Sequence, residues 1–356
     1  MSSPGSVDVC IVNYRGADDV REAVRTLGEW PHGTLWIVDN SEDAAQADAL
    51  ASIAGAQLLV PQKNLGFGRG CNLAFERSQA DFFLLLNPDA RIEAADLLRL
   101  ADAMRADARL AALSPRIWWN PERSFLLPAA FPQTPWVTIA QTLAPGARGL
   151  TMKSSARYLA RQRAMAASHA TTPVDFIAGA VLLLRRGAVQ EAGGLFDPAY
   201  FMFYEDSDLS LRLRRRGWRL GVTGAADAVH EYRHKAFKGA LMMQAREVYF
   251  RKQYPGFWRA TGGLRRLDAF VRQVPLAEWF DVLPRPCRTL DDFNEQSGSA
   301  RIEAFSPSPL TMPAIFRPGA PAAFTREEWA LLEPAGYAAR IAGRTRWAWF
   351  ERSATE

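Results

Sequence analysis

Asp81-Phe82-Phe83-Leu84-Leu85-Leu86-Asn87-Pro88-Asp89-Ala90 is the stretch whose reading decides the fold. Five apolar residues without polar alternation predict a strand covered on both faces, as in a parallel sheet flanked by helices. Pro88 has no N–H and a fixed φ, so it ends the pairing and sends Asp89 beyond the carboxyl edge of the sheet. Ligands of open α/β sheets gather at that edge, and a fixed carboxylate there suits a hard cation. Asn-Pro-Asp is also ordinary turn chemistry, so the flanking sequence has to decide between the two.

The flanks repeat the pattern. Upstream, Val7-Asp8-Val9-Cys10-Ile11-Val12 reads as a strand ending at Asn13-Tyr14, and residues 16–30 read as a helix with Val20, Val24 and Leu27 on one face. Residues 34–38 make a second strand that ends at Asp39-Asn40-Ser41, with a helix over 43–53 and a third strand over 57–60. Asn64-Leu65-Gly66-Phe67-Gly68-Arg69-Gly70-Cys71-Asn72 leads into the helix before the opening strand. Strands alternating with helices predict a Rossmann-like, mostly parallel sheet. A helix over 94–105 and a strand over 111–117 extend it.

Residues 118–172 then lose the alternation. Pro121, Pro128, Pro132, Pro135 and Pro145, with a basic helical piece over 154–167, predict an irregular insertion beside the site. Regularity returns as a strand over 174–184 interrupted at Gly179-Ala180, where small residues admit a close approach. An aromatic run, Phe201-Met202-Phe203-Tyr204, precedes Glu205-Asp206-Ser207-Asp208 and a helix over 209–216 closed by Gly217. Short strands over 219–223 and 228–232, the second holding His230, lead to helices over 239–254 and 259–271. Eight prolines between 275 and 321 predict an extended wrap, and Thr325-Arg-Glu-Glu328 fits the capping box of a final helix. The expected division is a catalytic domain over 1–255 and a helical, Pro-rich C-terminal extension over 256–356.

A chain of 356 residues with 48% hydrophobic content can bury a substantial core. Cys10, Cys71 and Cys287 are too few and too scattered for a disulfide framework or a zinc site, which points to reduced thiols and the cytoplasm. The polar residues before Val7 do not read as a leader, and no apolar run reaches the roughly 18 residues of a spanning helix. The net charge is +5, but residues 212–272 hold fifteen Lys/Arg against four Asp/Glu. Such an excess favours a polyanionic partner, either a pyrophosphate-bearing substrate or an anionic membrane. No nucleic-acid-binding signature accompanies it.

Taken in order, Ile11-Val-Asn-Tyr14, Val38-Asp-Asn40, Asn64-x-Gly-x-x-x-Gly-x-Asn72, Leu86-Asn-Pro-Asp-Ala90 and Glu205-Asp-x-Asp-Leu209 resemble the motif series of the family 2 glycosyltransferases with a GT-A fold. The resemblance runs over residues 7–254 and is strongest to the rhamnosyltransferase-like branch. It implies transfer of a sugar, with rhamnose from dTDP-rhamnose favoured, from a dTDP- or UDP-sugar to a hydroxyl of a glycan or lipid-linked oligosaccharide in bacterial cell-surface polysaccharide biosynthesis. It implies peripheral association with the inner membrane face. It places Asn13, Tyr14, Asp39, Asn64, Gly66, Asn72 and Asn87 around the donor nucleotide. It gives Asp89 to a divalent cation, Mg²⁺ or Mn²⁺, with His230 as second ligand, although a single acid replaces the full Asp-x-Asp. Asp206 becomes the general base with Glu205 beside it, and Gly179, Ala180, Tyr204 and Asp208 fall on the acceptor side.

Two other readings compete. Gly66-x-Gly68-x-Gly70 opening a helix, with Asp89 some way beyond, invites an NAD(P)-dependent Rossmann oxidoreductase, yet the fingerprint G-x-G-x-x-G does not match this spacing. A binding protein that keeps the fold but not the catalysis is the other.

Overall fold

The computed structural model describes residues 5–129, 131–231, 238–271 and 273–354. Nine strands form one sheet: β1 (Val7–Asn13), β2 (Leu35–Asp39), β3 (Ala56–Leu59), β4 (Phe82–Leu86), β5 (Ala90–Arg91), β6 (Leu110–Trp118), β7 (Thr171–Val174), β8 (Val181–Arg185) and β9 (Arg219–His230). Their order is β3-β2-β1-β4-β8-β6-β9-β5, with β7 on β9. The first four run parallel, while β8 lies antiparallel between β4 and β6.

The apolar run of β4 behaves as its composition predicts. Phe82, Leu84 and Leu86 enter the core on one face, Phe83 and Leu85 the core on the other. β1 and β8 divide their residues in the same way, with Val9, Ile11, Val181 and Leu183 on one side and Cys10, Val12, Leu182 and Leu184 on the other. Each strand buries nearly all its apolar surface, at about 25 cal/mol per Å², which is what holds a two-sided sheet together.

The antiparallel placement of β8 has a functional consequence. Val181 sits beside Leu86, so Gly179 and Ala180, just before β8, lie where β4 ends. The strand expected over 174–184 with an interruption at Gly179-Ala180 is divided: β7 pairs with β9, and the chain crosses the sheet before β8 begins. The two short strands expected over 219–232 are one, β9, with a register shift against β6 between Pro115 and Arg116. Tyr232, at the expected end of that strand, and Arg233, Lys235 and Arg272 of the basic segment lie outside the described residues.

The insertion is more regular than its prolines predict. Thr134 caps the helix Pro135–Leu143, with Pro135 in the first turn where a missing N–H costs nothing, and the helix Arg148–Ala167 follows. The larger difference concerns the C-terminal region, which adds to its short helices a second β-sheet that the expected helical, Pro-rich extension did not include. β10 (Asp281–Val282), β11 (Ile302–Ser306), β12 (Ile315–Phe316), β13 (Ala335–Ile341) and β14 (Ala348–Arg352) form a second sheet in the order β10-β14-β13-β11-β12. The capping box at Thr325 and Glu328 is present, but the helix it opens is short, Arg326–Ala330, and Ala348–Arg352 near the end of the chain forms β14. The prolines fall in the connections between strands. Residues 118–126 of the insertion join this second sheet through bridges of Leu126 to Trp118 and Phe316.

Candidate active site

Four elements end at one edge of the large sheet. At the ends of β1 and β2, Asn13 and Asp39 are buried and clasp one another: Asn13 Nδ2 donates to Asp39 Oδ1 at 2.9 Å. The Gly16 N–H donates to Asn13 Oδ1, and the Ser41 N–H and hydroxyl both donate to Asp39. These residues form a closed polar clasp rather than two open donor-binding groups, while Tyr14 beside them is 55% exposed.

Gly66, Gly68 and Gly70 explain themselves by what surrounds them. Gly66 has φ 78°, and a Cβ there would stand 2.2 Å from the Phe201 carbonyl oxygen; one on Gly70 would stand 3.0 Å from Val12. The glycines bring the helix Phe67–Arg77 against β1 and against the aromatic loop, whose Phe201 carbonyl accepts from the Phe67 N–H at 2.9 Å. This packing role disposes of the dinucleotide fingerprint. Asn64 caps the Gly66 N–H at 2.9 Å. Asn72 braces the loop as well, because Phe196 engages both ends of its amide: Asn72 donates to the Phe196 carbonyl at 2.7 Å and accepts from its N–H at 3.0 Å. Asn40, quoted in the sequence motif without a role, holds the same loop by donating to the Gly66 carbonyl at 2.9 Å.

At the end of β4, the Asn87 N–H donates to the Ala180 carbonyl at 2.8 Å. Three residues on, Ala90 pairs with His230 across β5 and β9, which brings Asp89 Oδ1 to 3.2 Å from His230 Nε2. Residues 89 and 230 are thus assembled by a two-residue strand. The Asp89 side chain is 43% exposed and that of His230 is 10% exposed. One carboxylate and one imidazole suit a divalent cation whose remaining positions are filled by phosphate oxygens and water. Among the described residues no group of three or more metal-ligating side chains occurs, so such an ion would depend on the ligand for the rest of its shell.

The acidic motif opens the helix Glu205–Arg215. Phe203 and Tyr204, immediately before it, both lie in the left-handed region at φ 69° and 63°. Two consecutive non-glycine residues there mark strain that the surrounding packing must hold, and the Tyr204 ring leans on Tyr249 at 5.3 Å between centroids. Asp206 Oδ2 accepts from the Gly179 N–H at 3.2 Å and Oδ1 from the Ser207 N–H at 2.7 Å. Desolvation pushes the Asp206 carboxyl up to about 6. Glu205 is buried, and its Oε2 has no hydrogen-bond partner among the described residues. Desolvation first, and then the charge of Asp206, push its carboxyl up to about 8.

Asp208 is different again, and its expected place on the acceptor side is corrected. It has no exposed surface, and it accepts from Arg212 Nε at 2.7 Å, Lys252 Nζ at 2.8 Å, Gln253 Nε2 at 2.6 Å and Tyr200 at 3.3 Å. Lys252 also reaches Asp197 at 2.7 Å, and Arg212 donates to the carbonyls of Ala192, Gly194 and Leu195. This hub ties the aromatic loop, the acidic helix and the helix Lys238–Gln253 together. Nothing local in the sequence marks Lys252 or Gln253, since their partner is 44 or 45 residues away. Part of the basic excess is paired within the chain, at or near its surface: Arg214 pairs with Asp175, Arg219 with Asp107 and Arg246 with Asp268.

The edge thus presents a polar clasp, an Asp–His pair and a carboxylate with a raised pKa, with Gly179 and Ala180 linking the end of β4 to Asp206. Comparison with known proteins shows the family of the chain. Residues 4–249 match the family described as Glycosyltransferase like family 2. The chain is 26% identical over 268 residues to the N-acetylglucosaminyl-diphospho-decaprenol L-rhamnosyltransferase of Mycobacterium tuberculosis, covering 65% of this chain and 78% of that protein. It is 24% identical over 236 residues to the rhamnosyltransferase WbbL of Escherichia coli K12, covering 64% and 84%. Among solved structures, GalNAc-T7 with UDP, GalNAc and Mn²⁺ superposes with a TM-score of 0.51 at 12% identity, over 74% of this chain and 53% of that one, a likeness of fold. The chain therefore belongs to glycosyltransferase family 2, and it is a nucleotide-sugar-dependent glycosyltransferase of the GT-A fold with rhamnosyltransferases among its relatives.

Proposed function

We propose that the enzyme moves a single sugar, rhamnose from dTDP-rhamnose being favoured, onto a hydroxyl of a lipid-linked or glycan acceptor with inversion at the anomeric carbon. The observation that carries this reading is the chain of contacts from the Asp89 turn to Asp206: Asn87 N–H to the Ala180 carbonyl, then Gly179 N–H to the Asp206 carboxylate. It sets a base beside the turn that faces the donor diphosphate. The donor's nucleoside lies over the clasp of Asn13 and Asp39, with Tyr14 available as the exposed ring.

Asp206 takes the proton of the acceptor hydroxyl as that oxygen bonds to the anomeric carbon. The bond from the same carbon to the diphosphate oxygen breaks, and its electron pair leaves with the nucleoside diphosphate. A raised pKa makes Asp206 a stronger base than an exposed carboxylate while leaving it ionised at neutral pH. Mg²⁺ or Mn²⁺ held by Asp89 and His230 would neutralise charge on the departing diphosphate. A single displacement predicts inversion. The relatives named for L-rhamnose transfer, one with a diphospho-decaprenol acceptor, support the choice of sugar and of a lipid-linked acceptor, and the acceptor places the enzyme at a membrane face.

Calorimetry with dTDP, UDP and GDP, with and without EDTA, tests the donor site. Chelation is expected to weaken binding of the preferred nucleotide by at least about tenfold, and Asp89→Ala to abolish that metal dependence. Retention of both affinity and metal dependence in Asp89→Ala removes the role given to Asp89.

A further inference from the structure

The helix Pro135–Leu143 is inside out. Thr138 and Thr142 are buried, their hydroxyls returned to the carbonyls of Thr134 and Thr138 at 3.0 Å each. Trp136 and Leu143, seven residues apart on the opposite face, are 78% and 62% exposed. Leu150, in the first turn of the helix Arg148–Ala167, is 68% exposed. Beyond it Lys153, Arg157 and Arg161 run along that helix at helical spacing on its exposed side. The short helix Arg265–Asp268 packs beside Pro135–Leu143 and is followed by Phe270 and Val271, 71% and 56% exposed. Large apolar side chains turned outward while hydroxyls turn inward reverse the usual partition, and such a patch marks a docking surface.

The charge around it selects the occupant. Residues 124–174 contain no Asp or Glu, and five Lys/Arg. A second copy of the chain seated on this face would bring like charges together. A negatively charged bilayer, by contrast, accepts an apolar tip at the acyl boundary and cations at the headgroups, and tryptophan favours that interface. The same helix reaches the acceptor side of the site: Gln162, Met165 and Ala166 line a cavity of about 70 Å³ with Phe176, Ile177 and Ala178, directly before Gly179.

We propose that Trp136, Leu143 and Leu150, with Phe270 and Val271, form a tip that inserts into the headgroup layer of an anionic lipid bilayer, with Lys153, Arg157 and Arg161 alongside. No described helix is long and apolar enough to cross a membrane, so this contact is peripheral. The inference deepens, and rests on, the membrane-facing acceptor proposed above; it moves the contact from the charge of segment 212–272, in which Arg212, Arg214, Arg219, Arg246 and Lys252 are ion-paired within the chain, to this tip.

The test is co-sedimentation of the whole chain with vesicles of phosphatidylcholine alone and of phosphatidylcholine mixed with phosphatidylglycerol. The wild type is expected to bind the mixed vesicles, and less so as salt rises. W136A/L143A/L150A is expected to lose at least about tenfold in partitioning, and K153E/R157E/R161E to lose the preference for the anionic lipid. All these side chains are exposed, so melting temperature and nucleoside diphosphate binding should match the wild type and show that the donor site is intact. Equal binding by the apolar triple variant overturns the proposal, as does a wild type that ignores anionic vesicles. Sedimentation of a wild-type dimer that W136A/L143A/L150A converts to monomer overturns it in favour of a second copy. A chain that binds vesicles through this tip yet transfers only to water-soluble acceptors would leave the surface standing and remove the lipid-linked acceptor instead.

Discussion

The two sheets bury charge for opposite ends. In the second sheet, Glu328 has almost no exposed surface and accepts from Arg317 at 2.7 and 2.9 Å, from the Thr325 N–H at 2.9 Å and from the Ser124 hydroxyl. Around it Phe125, Phe293, Phe305, Phe324, Trp329 and Phe350 pack edge to face and stacked, and the Arg317 guanidinium lies 4.0 Å from the Phe125 ring centroid. There a buried carboxylate, supplied with donors on both oxygens, staples the insertion to the C-terminal strands. At the edge of the large sheet, Glu205 is nearly as buried but one oxygen lacks a partner, and Asp206 has two N–H donors and a raised pKa. A buried acid given a cation, as Glu328 is, holds structure; Asp206, given only uncharged donors among the described residues, is kept basic. Asp208, two residues past Asp206, shows that both treatments fit within one helical turn.

The sharpest way to break this contrast is Asp206→Asn. Nearly isosteric but unable to take a proton, it is expected to lower transfer by about 10²–10⁴-fold with unchanged nucleoside diphosphate affinity and melting temperature. Near-full turnover, or a product with the donor's anomeric configuration by NMR, would sink the assignment of the base.

Arg317→Met reverses the emphasis. It leaves the Glu328 carboxylate buried without its cation, so unfolding free energy should fall by about 3–5 kcal/mol, while turnover per folded molecule stays at the wild-type level well below the melting transition. Denaturant titration alongside kinetics reads both. A stability loss under about 1 kcal/mol would show that the pair is no staple.

The smallest expected effect concerns Glu205. Its folded pKa lies above the ordinary 4.5, so between roughly that pH and about 8 the folded protein keeps a proton that the unfolded chain releases. Stability from this group is therefore present at low pH and lost as pH rises through the window. Glu205→Gln should flatten the slope and melt higher than wild type at pH near 9, by about 2–4 °C for each kcal/mol recovered, with little difference at pH near 4. Parallel melting curves for the two proteins at all pH values would mean that Glu205 carries no buried ionisation cost.

Much of the large sheet was legible because its signals are local. An apolar run broken by Asn-Pro-Asp announces a two-sided strand and its end, and the alternation of β1 to β4 with helices follows from side-chain periodicity. Asp89, His230 and Asp206 were singled out by motif order, and the fold brings the first two to 3.2 Å and sets Asp206 against Gly179 at the end of the same sheet. The rest depended on distance. Whether Asp208 faces a ligand or a hub is set by Lys252 and Gln253, 44 and 45 residues further on, and the i, i+4 pair with Arg212 gives the same spacing in either case. The C-terminal strands carry prolines in their connections and aromatics at irregular intervals, so their pairing is visible only once β13 finds both β11 and β14. Residue types and short-range periodicity thus determined which chemistry this chain can perform and along which strands, because backbone geometry repeats over a few residues. Which acid meets a buried cation, which cations lie at the surface and which prolines bound strands were decided only by tertiary structure, because burial and partnership are properties of the neighbours that folding brings in.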